Sequence, residues 1–232
     1  MSKVIKPQTR RNRKPTRLPY GTHVIYAEGT KTEPKYVDNI KCRVQKNQKV
    51  REGTINIEIV DESGGRSPAG LLRYAINDVN TKRQQYKIDH VWIFYDKDSF
   101  NVDEFDNTYS SILAKNVLKN EGEDSTDEFG TCWHACWSNE CFELWVLLHF
   151  NFEKSALPRT EYIPKIDKYL KPFGYRYQKN LDNLYDILEE CGSVKDAISN
   201  ARKLDAALQN PKKKINPSTG VYLFVERFTQ FL

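Results

Sequence analysis

The chain has 232 residues, enough for one α/β domain of roughly 100–150 residues plus an appendage. Its 39% apolar and 12% aromatic content can fill a core. No apolar run reaches the ~18 residues of a membrane span, since the longest, Cys141 to Phe150, is short and contains Glu143. Basic residues at the start are not followed by an apolar stretch, so no secretory signal is read there, and five cysteines without framework spacing point to a reducing cytoplasm. The net charge of +5 is unevenly spread: Lys3, Lys6, Arg10, Arg11, Arg13, Lys14 and Arg17 carry seven positive charges with no acid among them, leaving the rest slightly acidic. Residues 1–20 therefore read as a flexible arm drawn to phosphate backbones, with Arg11, Arg13 and Lys14 as candidate contacts.

Thr22 to Ala27 is a short β-rich run leading into Glu28-Gly-Thr-Lys-Thr-Glu33-Pro. Thr32 is expected to cap a helix from about Glu33, with Pro34 in its first turn and Tyr36, Val37, Ile40 and Val44 on its apolar face. Thr54 to Val60 alternates as a second strand, a Gly-Gly turn follows, and Ser67-Pro68 opens a helix through Leu71, Leu72, Ala75, Ile76 and Val79. Val91 to Tyr95 is continuously apolar, as in a strand buried on both faces, and ends at Asp96-Lys-Asp98. Phe105 to Leu118 predicts a helix, Glu121 to Glu128 an exposed acidic loop, Thr131 to Trp137 a fourth strand, and Cys141 to Phe150 a helix capped by Asn139.

Strand–helix alternation four times over predicts a parallel sheet of about four strands covered on both faces, over residues 21–152. Residues 153–232 carry only helical spacing, in Tyr162 to Leu170, Leu181 to Leu188, Val194 to Leu208 and Val221 to Leu232, and read as a helical C-terminal extension.

In such a sheet ligands bind outside the carboxyl ends of the strands, where strand order reverses. Glu28 follows the first strand, and Asp96 and Asp98 follow the third. If those strands are neighbours, the three carboxylates meet. A locally extended backbone would aim Asp96 and Asp98 the same way, and three acids together call for a cation. Hard oxygen ligands favour Mg²⁺ or Mn²⁺. Lys31 and Lys97 flank the acids as candidate phosphate contacts. Glu143 is placed either at the edge of the site or in a buried structural pair, and His149 reads as a hydrogen-bonded core residue. Cys132, His134, Cys136 and Cys141 are not read as a zinc site, because the spacing is not the paired Cys-x₂-Cys form and strand alternation is expected to divide the side chains between faces. Arg202, Lys203 and Lys212-Lys-Lys214 form a second basic patch, either on a nucleic-acid backbone or simply solvated. No P-loop occurs in the sequence.

Four segments carry a resemblance: Ala27-Glu-Gly-Thr-Lys-Thr-Glu-Pro-Lys-Tyr36, Phe94-Tyr-Asp-Lys-Asp98, Ser138-Asn-Glu-Cys-Phe-Glu-Leu-Trp-Val-Leu-Leu-His-Phe150 and Asn216-Pro-Ser-Thr-Gly-Val221. With Tyr177-Gln-Lys179 and Ala197/Ala201 near Leu204, they stand in the order seen in RloB-like proteins, which the chain resembles from about residue 10 onward. The first half of that family resembles the Toprim domain of topoisomerases, primases and OLD-type nucleases. The resemblance implies a Toprim-like (Rossmannoid) fold and an Mg²⁺- or Mn²⁺-dependent endonuclease acting on RNA, including tRNA, or DNA. It also implies a role in phage defence by abortive infection, beside an AAA- or ABC-type ATPase partner. Glu28 then matches the Toprim glutamate, as general base or metal ligand, and Asp96 and Asp98 the metal-binding Asp-x-Asp. Glu33 matches a second acid of OLD-type sequences that helps hold a second metal. Ala27 stands where a cysteine is expected and Glu140 where a proline is expected; neither departure removes a ligand. Two other readings remain open: a non-catalytic nucleic-acid- or ATPase-binding protein with a structural metal site, and another Toprim chemistry such as nucleotidyl transfer.

Overall fold

The structure is a computed structural model that describes residues 20–50, 53–119, 124–210 and 213–232. Four parallel strands form its centre: β1 (Gly21–Ala27), β2 (Ile55–Ile59), β3 (His90–Asp96) and β4 (Cys132–Asn139). The two-residue strand β5 (Ser218–Thr219) pairs antiparallel with the end of β4, so the order is β2-β1-β3-β4-β5. Both faces of β3 are covered, and every residue from His90 to Asp96 is buried. This is the physical reason its sequence reads as an unbroken apolar run.

Crossover helices connect the parallel strands. Helix α1 (Thr32–Lys46) follows β1, α2 (Pro68–Lys82) follows β2, and α3 (Val102–Leu113) follows β3. Ser67 and Asn101 cap the latter two by accepting the amides of Gly70 and Asp103. Val24, Tyr26, Val91, Ile93 and Tyr95 pack with α2 and α3 on one face. On the other, Ile25, Ala27, Trp92 and Phe94 pack under α1 and the C-terminal helices. These are α4 (Glu143–Leu147), α5 (Arg159–Leu170), α6 (Leu184–Cys191), α7 (Val194–Ala206) and α8 (Val221–Phe228). The change of pattern at residue 152 marks where the sheet's crossovers end, while the buried cluster on this face draws on residues from both sides of it.

Four local expectations are corrected. Thr32 does not cap α1: it lies inside the first turn, and its hydroxyl donates to the Lys179 carbonyl at 2.8 Å. The helix after β4 covers only Glu143–Leu147, and the Asn139 amide binds the Lys214 carbonyl instead of capping it. The acidic loop is not wholly exposed, since buried Asp127 accepts from the Phe129 and Thr131 amides and the Trp133 indole. In the second basic patch, Lys214 is buried against Tyr109 and Trp137 and paired with Asp205, while Arg202 pairs with Glu226, so these two cations hold the fold together. Lys212 lies outside the described residues. No helix among the described residues is long and apolar enough to cross a membrane.

Gly220, between β5 and α8, lies against the Trp137 ring. A β-carbon there would stand 2.4 Å from two ring atoms, and the ring is fully buried and cannot retreat. Gly220→Ala is therefore expected to cost about 1–3 kcal/mol of overpacking, read as a lowered midpoint in denaturant unfolding.

Candidate metal centre

Strand order reverses between β1 and β3, which lie side by side with Ala27 opposite Phe94. The residues leaving these two strands therefore emerge together at one end of the sheet. Glu28 is anchored by its backbone, whose amide donates to the Phe94 carbonyl at 2.9 Å, and by its side chain, whose Oε2 accepts the Asp96 amide at 3.0 Å. The Asp96 carboxylate points the other way, its Oδ2 accepting the Phe142 amide at 3.1 Å just before α4. Asp98 arrives by a different route from the extended one expected. Its φ is +39°, in the left-handed region that Asp tolerates better than most residues, and its amide donates to the Glu140 carbonyl at 3.0 Å.

Glu33 sits buried in the first turn of α1, where the helix dipole favours an acid. Gly29 is required beside it, because a β-carbon there would lie 2.0–2.6 Å from the Glu33 carboxylate. Glu143, buried in the first turn of α4, accepts the Tyr177 hydroxyl at 3.1 Å and pairs with Lys179 at 3.3 Å. The two placements read from sequence for Glu143 coincide: it has buried partners and also lines the site.

Glu28, Glu33, Asp96, Asp98 and Glu143 line one cavity of about 330 Å³, with Lys31, Arg159 and Lys179 at its walls. Arg159 makes an ion pair with Asp98. Lys97 does not line the cavity, and its ammonium turns to the Asp98 carbonyl. Arg11, Arg13 and Lys14 lie outside the described residues. Arg159, Tyr177 and Lys179 were not picked out as site residues from sequence. The nearest signal was the Tyr-Gln-Lys triplet, which carries no role until α5 and α6 are folded back over the sheet. A larger groove of about 950 Å³ between α6, α7 and the C-terminus gathers no comparable set of acids, so the smaller cavity is the candidate site. His149 is a core residue: its Nδ1 bonds the Trp145 carbonyl at 2.9 Å, and burial lowers its pKa to about 4.

The acids strain against one another. Burial pushes Glu28 up to about 8; the Asp96 amide opposes this, while the charges of Asp98 and Glu33 add to it. Burial and then Glu143 raise Glu33, and burial with Glu33, Glu28, Glu143 and Asp98 raises Asp96 well above the carboxylate range. Three cations at the wall do not offset five carboxylates. An all-oxygen donor set with unrelieved negative charge fits a hard divalent cation such as Mg²⁺ or Mn²⁺, which Glu28, Asp96 and Asp98 could hold as central ligands with Glu33 and Glu143 flanking them.

The fold and site together define a class: an open α/β sheet with an acidic, metal-competent centre at its switch point and a helical layer that closes over it. Within that class, the family model for RloB-like proteins matches residues 23–228, and the chain belongs to that family. No curated protein and no solved structure matches it.

Because Glu28 must lose its proton to bind a cation, Mn²⁺ is expected to raise the melting temperature more above pH 8 than at about pH 6. In the metal-free chain the sign is reversed. A carboxyl whose pKa is raised on folding destabilises the native state at high pH, and this penalty fades as pH falls from about 8 toward the ordinary carboxylate value. Gly29→Ala, which displaces a flexible carboxylate and little else, is expected to weaken Mn²⁺ binding roughly 10–100-fold while leaving the fold intact, as calorimetry and circular dichroism would show.

Proposed function

We infer that this protein is a Toprim-type, Mg²⁺- or Mn²⁺-dependent endonuclease that hydrolyses phosphodiester bonds in RNA or DNA. The observation that carries the reading is the convergence of five carboxylates on one cavity at the switch point, with Arg159 and Lys179 reaching it from the C-terminal layer. A cation held there would supply Lewis acidity and a water of lowered pKa. The chain's own residues supply the rest. Lys31, Arg159 and Lys179 offer positive charge to a phosphate entering the cavity. Glu28, with one oxygen fixed by the Asp96 amide, keeps Oε1 for a metal ion or, as general base, for a proton. Tyr177 and Lys179 hold the Glu143 carboxylate in place.

The family resemblance extends the proposal to an effector of phage defence through abortive infection, working in the cytoplasm with an AAA- or ABC-type ATPase. Arg11, Arg13 and Lys14 would add sequence-independent grip on the strand.

The test is incubation of the purified protein, with and without such an ATPase, with labelled RNA and DNA in Mg²⁺ or Mn²⁺. Glu28→Ala and Asp96→Ala are expected to abolish cleavage with the fold retained, and Tyr177→Phe to lower it about 10–100-fold. Cleavage that survives both acid substitutions would overturn the mechanism. Metal binding without cleavage of any substrate would favour the non-catalytic reading with a structural metal site.

A further inference from the structure

Three of the chain's four histidines gather on one face of the sheet, at the end opposite the acids. His90 opens β3 and Cys132 opens β4, and the two are register partners. His134 lies two residues beyond Cys132. The expectation that alternation divides Cys132, His134 and Cys136 between faces is thereby corrected, because a period of two puts residues i, i+2 and i+4 on the same face. Cys136 is buried deeper along that face, under Phe224, and Cys141 lies beyond the strand near Glu143. The histidine missing from the sequence pattern, His90, comes from the neighbouring strand.

His90 Nδ1 is 3.1 Å from His134 Nε2, Cys132 Sγ is 3.9 Å from His134 Nδ1, and one ligand atom from each residue can be chosen with all three within 4.8 Å of one another. Tetrahedral zinc, with bonds of about 2.0–2.1 Å to nitrogen and about 2.3 Å to sulfur, places its donors about 3.3–3.6 Å apart. The group therefore needs only small side-chain movements to close on an ion. His23 is not a ligand: it stacks on His90 at 4.5 Å, and its Nδ1 accepts the Trp92 indole. Cys132 and His90 are buried while His134 stays partly open, which leaves an approach from solvent.

We propose that His90, Cys132 and His134 form a second metal site, selective for zinc, that clamps the amino ends of β3 and β4. Two imidazoles and a thiolate are a borderline-soft donor set, unlike the all-oxygen centre at the other end of the sheet. In the metal-free chain the positions are held by hydrogen bonds whose direction Arg227 sets. Its guanidinium donates to His90 Nε2 at 3.0 Å, which leaves the His90 proton on Nδ1, directed at His134 Nε2. The remaining His134 proton then sits on Nδ1, toward Cys132 Sγ. Binding through His90 Nδ1 moves that proton to Nε2 and releases Arg227 to Asp124, with which it is already paired at 2.6 Å. The thiol loses its proton to solvent as the sulfur–metal bond forms, so one proton is released per ion bound. The proposal stands apart from the nuclease reading.

The test uses the full chain stripped with a chelator and titrated with Co²⁺ as a spectroscopic stand-in for Zn²⁺. Expected are a near-ultraviolet thiolate-to-cobalt band with visible tetrahedral bands, loss of both on adding Zn²⁺, and, in the Glu28→Ala/Asp96→Ala double variant whose acidic centre is disabled, release of one proton per ion. Cys132→Ser should abolish the thiolate band, and His134→Ala should weaken binding at least about 10-fold. The Glu28→Ala/Asp96→Ala double variant should keep the band, which separates this site from the acidic centre. A folded wild-type chain without a thiolate band would overturn the proposal, as would a band that survives Cys132→Ser. Should Cys132→Ser fail to fold, His90→Ala takes its place: a thiolate band of unchanged affinity in that variant is equally fatal.

Discussion

Mutual repulsion among five partly or wholly buried carboxylates is the constraint around which the rest of the architecture is arranged. Bringing such charges together is costly unless cations or hydrogen-bond donors compensate them. Backbone amides supply part of that compensation, with Asp96 serving Glu28 and Phe142 serving Asp96. The sheet makes this possible by ending β1 and β3 side by side, so that each strand's exit residue meets the amides of its neighbour. Arg159 and Lys179 supply another part from segments that follow all five acids in sequence. The imbalance that remains is a destabilising feature concentrated in this one cavity.

The two ends of the sheet differ in chemistry for a reason rooted in strand direction. At the carboxyl end, loops leave the sheet and can present oxygen ligands in varied directions. At the amino end, side chains meet across the register of neighbouring strands on one face, and α8 adds Arg227 to them. His90 and Cys132 meet in that way.

Much of the frame was legible in the sequence, and the failures have physical causes. The apolar run of β3, the alternation of β2 and the Ser67 cap are local signals, and the structure contains each of them. Glu28, Asp96 and Asp98 could be placed because an acid directly after a strand needs only strand adjacency to meet another. Asp98 reached its position through a left-handed turn that no spacing rule anticipates. β5 is two residues long, too short for any periodicity. Arg159, Tyr177 and Lys179 lie in segments whose local pattern reports helix or loop and says nothing of what they face. Thr32 looked like a cap because its type and position fit one, and a distant carbonyl competed for its hydroxyl.

That last contact has a consequence for the life history of the chain. Thr32 holds the Lys179 carbonyl, Lys35 and Asn39 reach the backbone at Asn180 and Asp182, and Arg43 pairs with Asp186 and Glu189. Helix α1, which bears Glu33, is thus latched along its length to residues made some 140 positions later. During synthesis all five acids are made before Arg159, Tyr177 and Lys179. A nascent or truncated chain carries the acids without the cations that face them, and the centre is complete only once the C-terminal layer has docked. Whatever chemistry the site performs is thereby deferred until Lys179 has been made and its segment has docked on α1.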